Sequence, residues 1–449
     1  MENQGYLGLP QIDRLLQCGE VQMWFPLLSR PLVARVASEV VAKERARIAG
    51  GADGGGTSKI AEKINTECER LYQKRLRPVI NGTGVVIHTN MGRAPIPVEV
   101  WKASERVTTG HSNLELDLST GTRGGRSGII PELLQSLVGC EASLMVNNCA
   151  AAIYLLLIGL AAGRQVIVSR GEQVQIGGGF RIPEILEASG AHLVEVGTTN
   201  ITTVDDYARA VNDETAMVLI VHHSNFSIQG FAARPRVAEI KSSLPPHVIL
   251  AVDQGSGVTT ENIPAEIRVT KYLKAGVDLV CFSGDKVLGG PQAGFIVGRA
   301  ALIDPLRRHP VARVLRTGKT ISSLMEDYLI RKVGGKTTGR AAEVIGFSLE
   351  ELKRRGKAIK RGLGNRVKLV STAATIGGGS APGECFPSVA LELQGEESAH
   401  VFLKRLREWA PPIIGIIAAG RARLDLSTIA NTEMKSVVAA LVSIYGRGQ

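Results

Sequence analysis

The stretch FSGDKVLGGPQAGFIVG, residues 282–298, places one lysine, Lys286, in a glycine-rich turn between two apolar runs. The runs 280–282 and 295–297 each have the length and composition of a short buried strand. A lysine in such a turn is either a solvated surface residue or an amine with a chemical role. The neighbouring strands bear on the choice between these two interpretations.

A second apolar strand, VILAVDQGSG at residues 248–257, ends in the carboxylate of Asp253. Ligands of open α/β sheets bind at the carboxyl ends of strands, and the next strand ends just before Lys286. Pyridoxal phosphate requires this pair of groups, because a lysine holds its aldehyde as a Schiff base and a carboxylate keeps its ring nitrogen protonated. Taken alone, Asp253 is equally well explained as a turn cap.

A phosphate site is predicted at the start of the helix that follows VNNC, residues 146–149. Asn148 is the expected N-cap, and the free N–H groups of Cys149 and Ala150 would face an anion. The hydroxyl of Ser283 would add a donor to the same phosphate. Each feature alone also fits an ordinary capped helix. Together, in this order along the chain, they predict a pyridoxal-phosphate enzyme of the large α/β type.

Two histidines, His222 and His223, follow the apolar strand AMVLIV at residues 216–221. Two interpretations stay open, a ring in contact with the cofactor or a structural histidine. No HExxH motif and no Cys/His cluster accompanies them, so no metal site is predicted.

The chain changes its pattern near residue 78. Residues 1–77 are predicted to form a helical domain, residues 78–320 a large α/β domain, and residues 321–449 a small α+β domain. In the large domain, alternating short strands and helices predict a mostly parallel sheet with helices on both faces. Its predicted strands are 166–168, 193–196, 216–221, 248–252, 279–282 and 295–297, and its predicted helices include 150–162 and 183–189. The small domain is predicted to contain strands at 388–393 and 423–426 and a closing helix at 432–444.

Composition indicates a globular protein, because 44% of the 449 residues are hydrophobic and only 21% are charged. The six cysteines lack paired spacing, which favours a reducing compartment. The first residues resemble neither a signal peptide nor a transit peptide, and no apolar run is long enough to span a bilayer. We therefore expect a cytoplasmic protein without membrane contact.

The net charge of +11 is concentrated in two basic runs, at residues 307–319 and 353–368. The second run has two explanations of similar weight. It is either the solvated face of a basic helix or a surface for a phosphate-rich partner such as nucleic acid.

Several long stretches resemble the bacterial selenocysteine synthases, the L-seryl-tRNA(Sec) selenium transferase family. The matching stretches are LPQIDRLL (9–16), RPVINGTGVVIHTNMGRAP (77–95), VNNCAAA (146–152), SRGEQVQIGGGFRIPEI (169–185), EVGTTN (195–200), HHSNFSIQGF (222–231), DQGSG (253–257) and FSGDKVLGGPQAG (282–294). Members of this family are pyridoxal-phosphate enzymes of fold type I. The resemblance implies that Lys286 carries the cofactor, and we interpret the glycines around it as letting the backbone approach the cofactor closely.

The resemblance also implies the reaction. Serine esterified to tRNA(Sec) keeps a free α-amino group that displaces Lys286, whose amine then removes the α-proton. Loss of water and addition of selenium from selenophosphate give selenocysteinyl-tRNA(Sec). The family uses arginines for the anionic selenium donor, and the matching residues here are Arg93, Arg313 and Arg316, with Asp285 as a further active-site candidate. Arg123 and Arg126 match a basic family motif near the site, without an assigned role.

The resemblance further implies that residues 1–77 recognise tRNA and that the protein is a homo-oligomer, a ring of five dimers with active sites at dimer interfaces. Four positions depart from the family pattern, namely Gln254, Gly318, Ile416 and Ser427. Two other functions are considered: a lyase of the same fold that acts on a small phosphorylated amino compound, and a tRNA-binding protein without catalysis. Such lyases lack the helical amino-terminal segment, and the presence of Lys286 with Asp253 argues against a purely binding protein.

Overall fold

The computed structural model describes residues 9–53, 56–176, 179–223, 226, 228, 230–261, 263, 266–336 and 339–446. The chain divides into two compact units, Met1–Pro78 and Val79–Gln449. Within those described ranges, no helix is long and apolar enough to cross a membrane.

The first unit is helical. Its helices are α1 (Ile12–Leu15), α2 (Gly19–Gln22), α3 (Phe25–Leu28), α4 (Arg30–Ala49) and α5 (Thr57–Gln73). The two long helices bury apolar residues at helical spacing, for example Val33, Val36 and Val40 on α4 and Ile60 and Ile64 on α5. Between α4 and α5, residues 54 and 55 lie outside the described residues.

The second unit is built on a seven-stranded sheet with the order β2–β10–β9–β8–β7–β3–β6. Its strands are β2 (Ala142–Val146), β3 (Gln165–Ser169), β6 (His192–Val196), β7 (Thr215–Val221), β8 (Ile249–Gly255), β9 (Leu279–Ser283) and β10 (Gly294–Gly298). Strands β3, β6, β7, β8 and β9 are parallel, whereas β10 runs antiparallel to both of its neighbours. The predicted mostly parallel sheet is confirmed, although β2 was not predicted. Two short pairs lie outside this sheet, β1 (Ile80–Asn81) with β13 (Ile413–Ile414) and β4 (Gln175–Ile176) with β5 (Phe180–Arg181).

Helices cover both faces of this sheet, as predicted. They are α6 (Val98–Thr109), α7 (Ile130–Val138), α8 (Cys149–Leu160), α9 (Ile182–Ala188), α10 (Val204–Ala210), α11 (Val237–Ser243), α12 (Val269–Lys274), α13 (Ala300–Arg308), α14 (Pro310–Leu315) and α15 (Lys319–Val333). Successive residues of β9 alternate between the faces. Val280 and Phe282 pack in the apolar cluster that contains α6, α7, α10, α11, α12 and α15. Leu279 and Cys281 pack with α8, α9 and α13.

A four-stranded antiparallel sheet with the order β11–β12–β15–β14 forms the carboxyl-terminal part of the second unit. Its strands are β11 (Val367–Gly377), β12 (Ser380–Leu393), β14 (Ile416–Ala418) and β15 (Arg421–Asp425), and the helices of this part are α16 (Arg340–Ile345), α17 (Leu349–Leu363), α18 (Ala399–Arg407) and α19 (Met434–Gly446). One of the two interpretations of the second basic run was the solvated face of a single helix, but α17 ends at Leu363. Arg366 and Lys368 therefore lie on the following turn and on β11.

Candidate active site

The carboxyl ends of three adjacent parallel strands bring together most of the predicted cofactor residues. Val221 pairs with Asp253, and Asp253 pairs with Cys281, so the ends of β7, β8 and β9 are level with one another. Gly294 on β10 pairs with Ser283 on one side and with Val146 on the other. This register brings the start of α8 to the same edge of the sheet as the loop that carries Lys286.

Lys286 lies in the loop between β9 and β10 and is only 6% exposed. Within the part of the chain that the structure describes, no hydrogen bond of its amine is found. The Lys286 charge is close enough to influence both Asp253 and Cys149, because it lowers the pKa of each of these groups. A solvated turn lysine is therefore excluded, since the side chain points into the protein.

Asp253 is 5% exposed, and its carboxylate accepts a hydrogen bond from Cys149 Sγ at 3.5 Å. Burial raises the pKa of Asp253 above its usual value, against the lowering effects of the Lys286 charge, the Cys149 hydrogen bond and the His222 charge. Burial also raises the pKa of the Cys149 thiol well above its usual value, so this cysteine is a neutral donor.

The start of α8 has the predicted geometry. The Asn148 side chain caps the helix by accepting a hydrogen bond from the Ala151 N–H at 2.8 Å. As the first two residues of the helix, Cys149 and Ala150 have no intrahelical acceptors for their N–H groups. These donors follow β2, and Ser283 lies at the end of β9, where it is 3% exposed. One strand, β10, separates β2 from β9 in the sheet.

Three glycines in and beside the Lys286 loop lie where protein backbone packs closely, and the approach of this loop to the cofactor stays a prediction. A Cβ on Gly284 would lie 2.7 Å from the Pro291 carbonyl oxygen, and a Cβ on Gly294 would lie 2.0 Å from the Asn148 carbonyl oxygen. Gly289 has a φ of +88°, and its added Cβ would lie 2.7 Å from another backbone atom. The glycines thus allow protein backbone to approach protein backbone, and they bring the α8 cap against β10.

Arg93 and Asp285 form an ion pair beside Lys286. Arg93 Nη1 lies 3.0 and 3.3 Å from the two carboxylate oxygens of Asp285, and the Ala94 N–H donates to the Asp285 carbonyl at 3.2 Å. Arg93 has a φ of +63°, a left-handed conformation that is unfavourable for a residue with a Cβ. Two contacts from neighbouring residues therefore hold a strained segment against the residue that precedes Lys286.

Arg313 and Arg316 belong to a different group. Both line a cavity of about 1190 Å³ that Lys286, Asp253, Asp285 and Arg93 do not line. The two groups are connected through the backbone, because the Asn147 N–H donates to the carbonyl of Leu315 at 2.9 Å.

Glu115 forms ion pairs with three arginines, two of which line this cavity. It pairs with Arg123 at 2.9 Å, with Arg316 at 3.4 Å and with Arg126. The hydrogen bond from Arg126 is the main reason why the pKa of Glu115 is lowered, and burial opposes this effect. Arg313 has no ion pair among the described residues, so its charge is available to an anionic ligand.

His222 and His223 have separate surroundings. His222 Nε2 lies 3.0 Å from Glu266 Oε2. His223 stacks on Phe226 with ring centroids 4.2 Å apart, and its Nδ1 contacts Arg234. Burial, together with the Arg234 charge, lowers the pKa of His223 to about 4, so this ring is neutral near pH 7. The structural interpretation suits His223. His222 lies with the residues around Asp253, and contact between its ring and the cofactor stays a prediction.

Two buried carboxylates near this edge were not predicted. Glu266 has a fully buried side chain, and Glu172 is 4% exposed with a carboxylate that accepts the Val221 N–H at 3.0 Å. Burial raises the pKa of Glu172 to about 7. Glu172 ends a three-residue 3₁₀ helix and Glu266 lies in an irregular segment, and neither is long enough to show a periodic pattern that would mark a glutamate as buried.

Two of the four departures from the family pattern, Gln254 and Ser427, have local explanations. Gln254 is fully buried and closes the turn after β8, because its Oε1 accepts the Gly257 N–H at 2.7 Å and its Nε2 donates to the Ile267 carbonyl at 3.3 Å. Ser427 donates its N–H and its hydroxyl to Asp425. Gly318 is the N-cap of α15 and provides no side-chain cap. Nothing in the structure explains Ile416.

Among the residues that the structure describes, no group of three His, Cys, Asp or Glu side chains has the arrangement of a metal site.

The family profile and the curated relatives that match this chain carry the same family name. The profile of the family described as L-seryl-tRNA selenium transferase matches residues 79–430. The L-seryl-tRNA(Sec) selenium transferase of Geobacter sulfurreducens is 39% identical over 96% of this chain and 98% of its own length. The enzyme of the same name from Carboxydothermus hydrogenoformans is 37% identical over 95% of both chains. Among solved structures, a D-glucosaminate-6-phosphate ammonia-lyase superposes with a TM-score of 0.61 at 21% identity, covering 83% of this chain and 96% of its own, which shows a shared fold.

Proposed function

This chain belongs to the L-seryl-tRNA selenium transferase family, and we propose that it converts L-seryl-tRNA(Sec) to L-selenocysteinyl-tRNA(Sec) with pyridoxal phosphate as cofactor and selenophosphate as selenium donor. The observation that carries this proposal is the burial of Lys286 and Asp253 side by side at the carboxyl edge of the sheet. The proposed substrate is a charged tRNA, so we propose that the enzyme acts in the cytoplasm.

The residues at this edge fit pyridoxal phosphate. Lys286 offers a buried amine without a hydrogen-bond partner among the described residues, and Asp253 offers a carboxylate that receives only a thiol donor there. The free N–H groups of Cys149 and Ala150, with the hydroxyl of Ser283 nearby, suit a phosphate. His222 lies beside Asp253 and is proposed as a further cofactor-binding residue.

The chemistry assigns a task to each side chain. When bound, pyridoxal phosphate supplies an electron sink that makes the α-proton of serine removable and allows the β-hydroxyl to leave. Asp253 would hold the ring nitrogen protonated, and Lys286, once its amine is free, is the base at hand for the α-proton. Burial of both groups excludes water, which strengthens their interaction.

Arginines are proposed to bind the selenium donor, because a guanidinium matches phosphate-type oxygens in charge and geometry. Arg93, oriented by Asp285 next to Lys286, would contact the donor in the reaction site. Arg313 and Arg316 would bind anionic groups from the separate cavity. We further propose that the enzyme is a homo-oligomer, a ring of five dimers, in which a dimer interface completes the site.

The tRNA is proposed to contact the helical amino-terminal unit and the basic side of α17. On α17, Lys353, Lys357 and Arg361 recur every four residues and are exposed, whereas Leu352 and Ile359 face the core. None of these three cations forms an ion pair among the described residues, which favours a phosphate-rich partner over a self-neutralised face. Glu350, also exposed, is the acidic residue at the start of this side.

The test is the formation of selenocysteinyl-tRNA from purified protein, seryl-tRNA(Sec) and labelled selenophosphate. We expect product with the wild type, and none with Lys286→Ala, although that variant should still bind the tRNA. Retention of cofactor without product would refute the proposal, and turnover of a small phosphorylated amino compound would then support the lyase alternative. Binding of tRNA without cofactor would support the non-catalytic alternative.

A further inference from the structure

Glu266 has an unusual position for a carboxylate. Its side chain is fully buried, yet it receives hydrogen bonds from Ser256 Oγ at 2.7 Å and from the Ala381 N–H at 2.6 Å. Its remaining contact is with His222 Nε2 at 3.0 Å. It thus joins three segments: the turn after β8, the residue after β7 and the start of β12.

The donors around Glu266 keep it ionised. Burial alone would raise the pKa of Glu266, but the hydrogen bond and charge of His222, with the donors from Ser256 and Ala381, lower it below its usual value. A buried carboxylate is costly unless a cation and hydrogen bonds compensate it. The contact with His222 Nε2 at 3.0 Å fixes the position of the imidazole ring.

His222 is in turn coupled to Asp253. The backbone N–H of His222 donates to the backbone carbonyl of Asp253 at 2.9 Å. The interaction with the His222 side chain lowers the pKa of the Asp253 carboxyl. The other groups that act on this carboxyl are Lys286 and the Cys149 thiol.

Charged groups from other elements also face His222. Glu172 interacts with it from the segment after β3. His223 is its neighbour in sequence, and Arg234 acts on both Glu172 and His223.

We propose that Glu266 is a positioning residue that holds the His222 ring beside Asp253, so that Asp253 stays a carboxylate and keeps the cofactor ring nitrogen protonated. The inference rests on the proposed function, because it requires pyridoxal phosphate at Asp253. Without the His222 ring in this position, a buried Asp253 would bind a proton more tightly and would take it from the ring nitrogen. The ring would then be a weaker electron sink.

A purely structural role is the competing explanation. In that case Glu266 only ties the turn after β8 to the small sheet through Ser256 and Ala381. Both roles predict that removing the carboxylate lowers stability. Only the positioning role predicts a change in the protonation of the cofactor ring, and only that role requires His222.

The experiment compares Glu266→Gln with Glu261→Gln in the full-length protein loaded with pyridoxal phosphate labelled with nitrogen-15 in the ring. Glu261 is the matched control, because it is also a buried carboxylate of the segment between β8 and α12 but pairs with Lys332 instead of His222. The measurements are the nitrogen-15 chemical shift of the ring across pH and the affinity for pyridoxal phosphate.

For Glu266→Gln we expect the ring nitrogen to lose its proton at a lower pH than in the wild type. We expect cofactor binding to weaken roughly ten- to hundredfold, as when a hydrogen bond to a charged group is lost. Glu261→Gln should keep the wild-type shift and affinity. His222→Gln should reproduce the effect of Glu266→Gln, and the double variant should bind no more weakly than His222→Gln alone.

Each outcome decides between the explanations. A wild-type ring shift in Glu266→Gln, or additive losses in the double variant, would overturn the inference and leave the proposed function intact. If Glu266→Gln does not fold, Glu266→Asp takes its place, because it keeps a carboxylate but shortens its reach to His222, and a wild-type ring shift in that variant would overturn the inference. A wild type that does not bind pyridoxal phosphate would overturn the proposed function itself, and the inference with it.

Discussion

The stability of the second unit should depend on pH through two buried groups that titrate in opposite directions. Glu172 has its pKa raised to about 7, mainly by burial, against the lowering effect of the Arg234 charge. His223 has its pKa lowered to about 4 by burial and by the same arginine. Each group is neutral in the folded protein over a pH range in which it would be charged in the unfolded chain.

The signs follow from proton linkage. Folded Glu172 binds its proton more tightly than the unfolded chain does, so its contribution to stability is complete below pH 4.5 and is lost as the pH rises through about 7. Folded His223 binds its proton less tightly, so its contribution is complete above pH 6.5 and is lost as the pH falls through about 4. At 1.36 kcal/mol per pH unit, each contribution amounts to about 3 kcal/mol. The two slopes oppose each other between pH 4.5 and 6.5.

Single isosteric variants separate these slopes. In Glu172→Gln the acceptor for the Val221 N–H is kept, and the free energy of unfolding relative to the wild type should rise by about 3 kcal/mol between pH 4.5 and pH 7.5. In His223→Asn the relative stability should instead fall over the range from pH 4 to pH 6.5. The assay is urea unfolding followed by circular dichroism at several pH values. A stability difference that stays constant with pH in both variants would refute the reasoning, because it would mean that neither group changes its protonation on folding.

Three further predictions concern the sheet edge, a helix cap and the basic side of α17. Gly294→Ala should destabilise the protein by about 3 kcal/mol and reduce cofactor retention, because its Cβ would lie 2.0 Å from a backbone oxygen. Thermal unfolding and the absorbance of bound cofactor measure these two effects. Gly362→Ala is the control and should not destabilise the protein, because there is open space around Gly362. Gly318→Asp should stabilise α15 by about 0.5 kcal/mol, measured by thermal unfolding, because a carboxylate would cap a helix that has no side-chain cap; an unchanged or lower melting temperature would contradict this. Lys357→Glu should weaken tRNA binding and reduce its salt dependence by about one unit of slope, measured by filter binding, whereas Lys404→Glu on α18 should have little effect.

The large sheet could be predicted because its strands are short apolar runs separated by helices. The strand before Lys286 illustrates this, since Leu279, Val280, Cys281 and Phe282 are all apolar and supply both faces of a buried strand. The long strand β11 could not be predicted, because the sequence STAATI within it is only weakly apolar. It is a strand because it pairs along its length with β12, and such pairing is set by the partner strand rather than by local composition.

The sequence predicted those site residues that lie at or just after the carboxyl ends of strands. Asp253 and Lys286 follow neighbouring strands, so a parallel sheet brings them together. Glu266 was missed because its contacts come partly from residues distant in the chain, such as Ala381, which is 115 positions away. The division of the arginines into two groups was also not visible, since Arg93 and Arg313 carry the same family signal but contact different surroundings.

A comparison of two buried aspartates indicates why the carboxyl edge is the functional one. Asp278, which precedes β9 at the amino end of the sheet, receives hydrogen bonds from the Leu250 N–H at 2.8 Å, from Lys241 at 2.5 Å and from Arg299 at 3.0 Å. Asp253, at the carboxyl end of the neighbouring strand, receives only the Cys149 thiol at 3.5 Å among the described residues. Stability accounts for the first aspartate, because its charge is fully compensated. It does not account for the second, whose carboxylate keeps unused acceptor capacity in a buried position, and a cationic N–H donor supplied by a ligand would satisfy it.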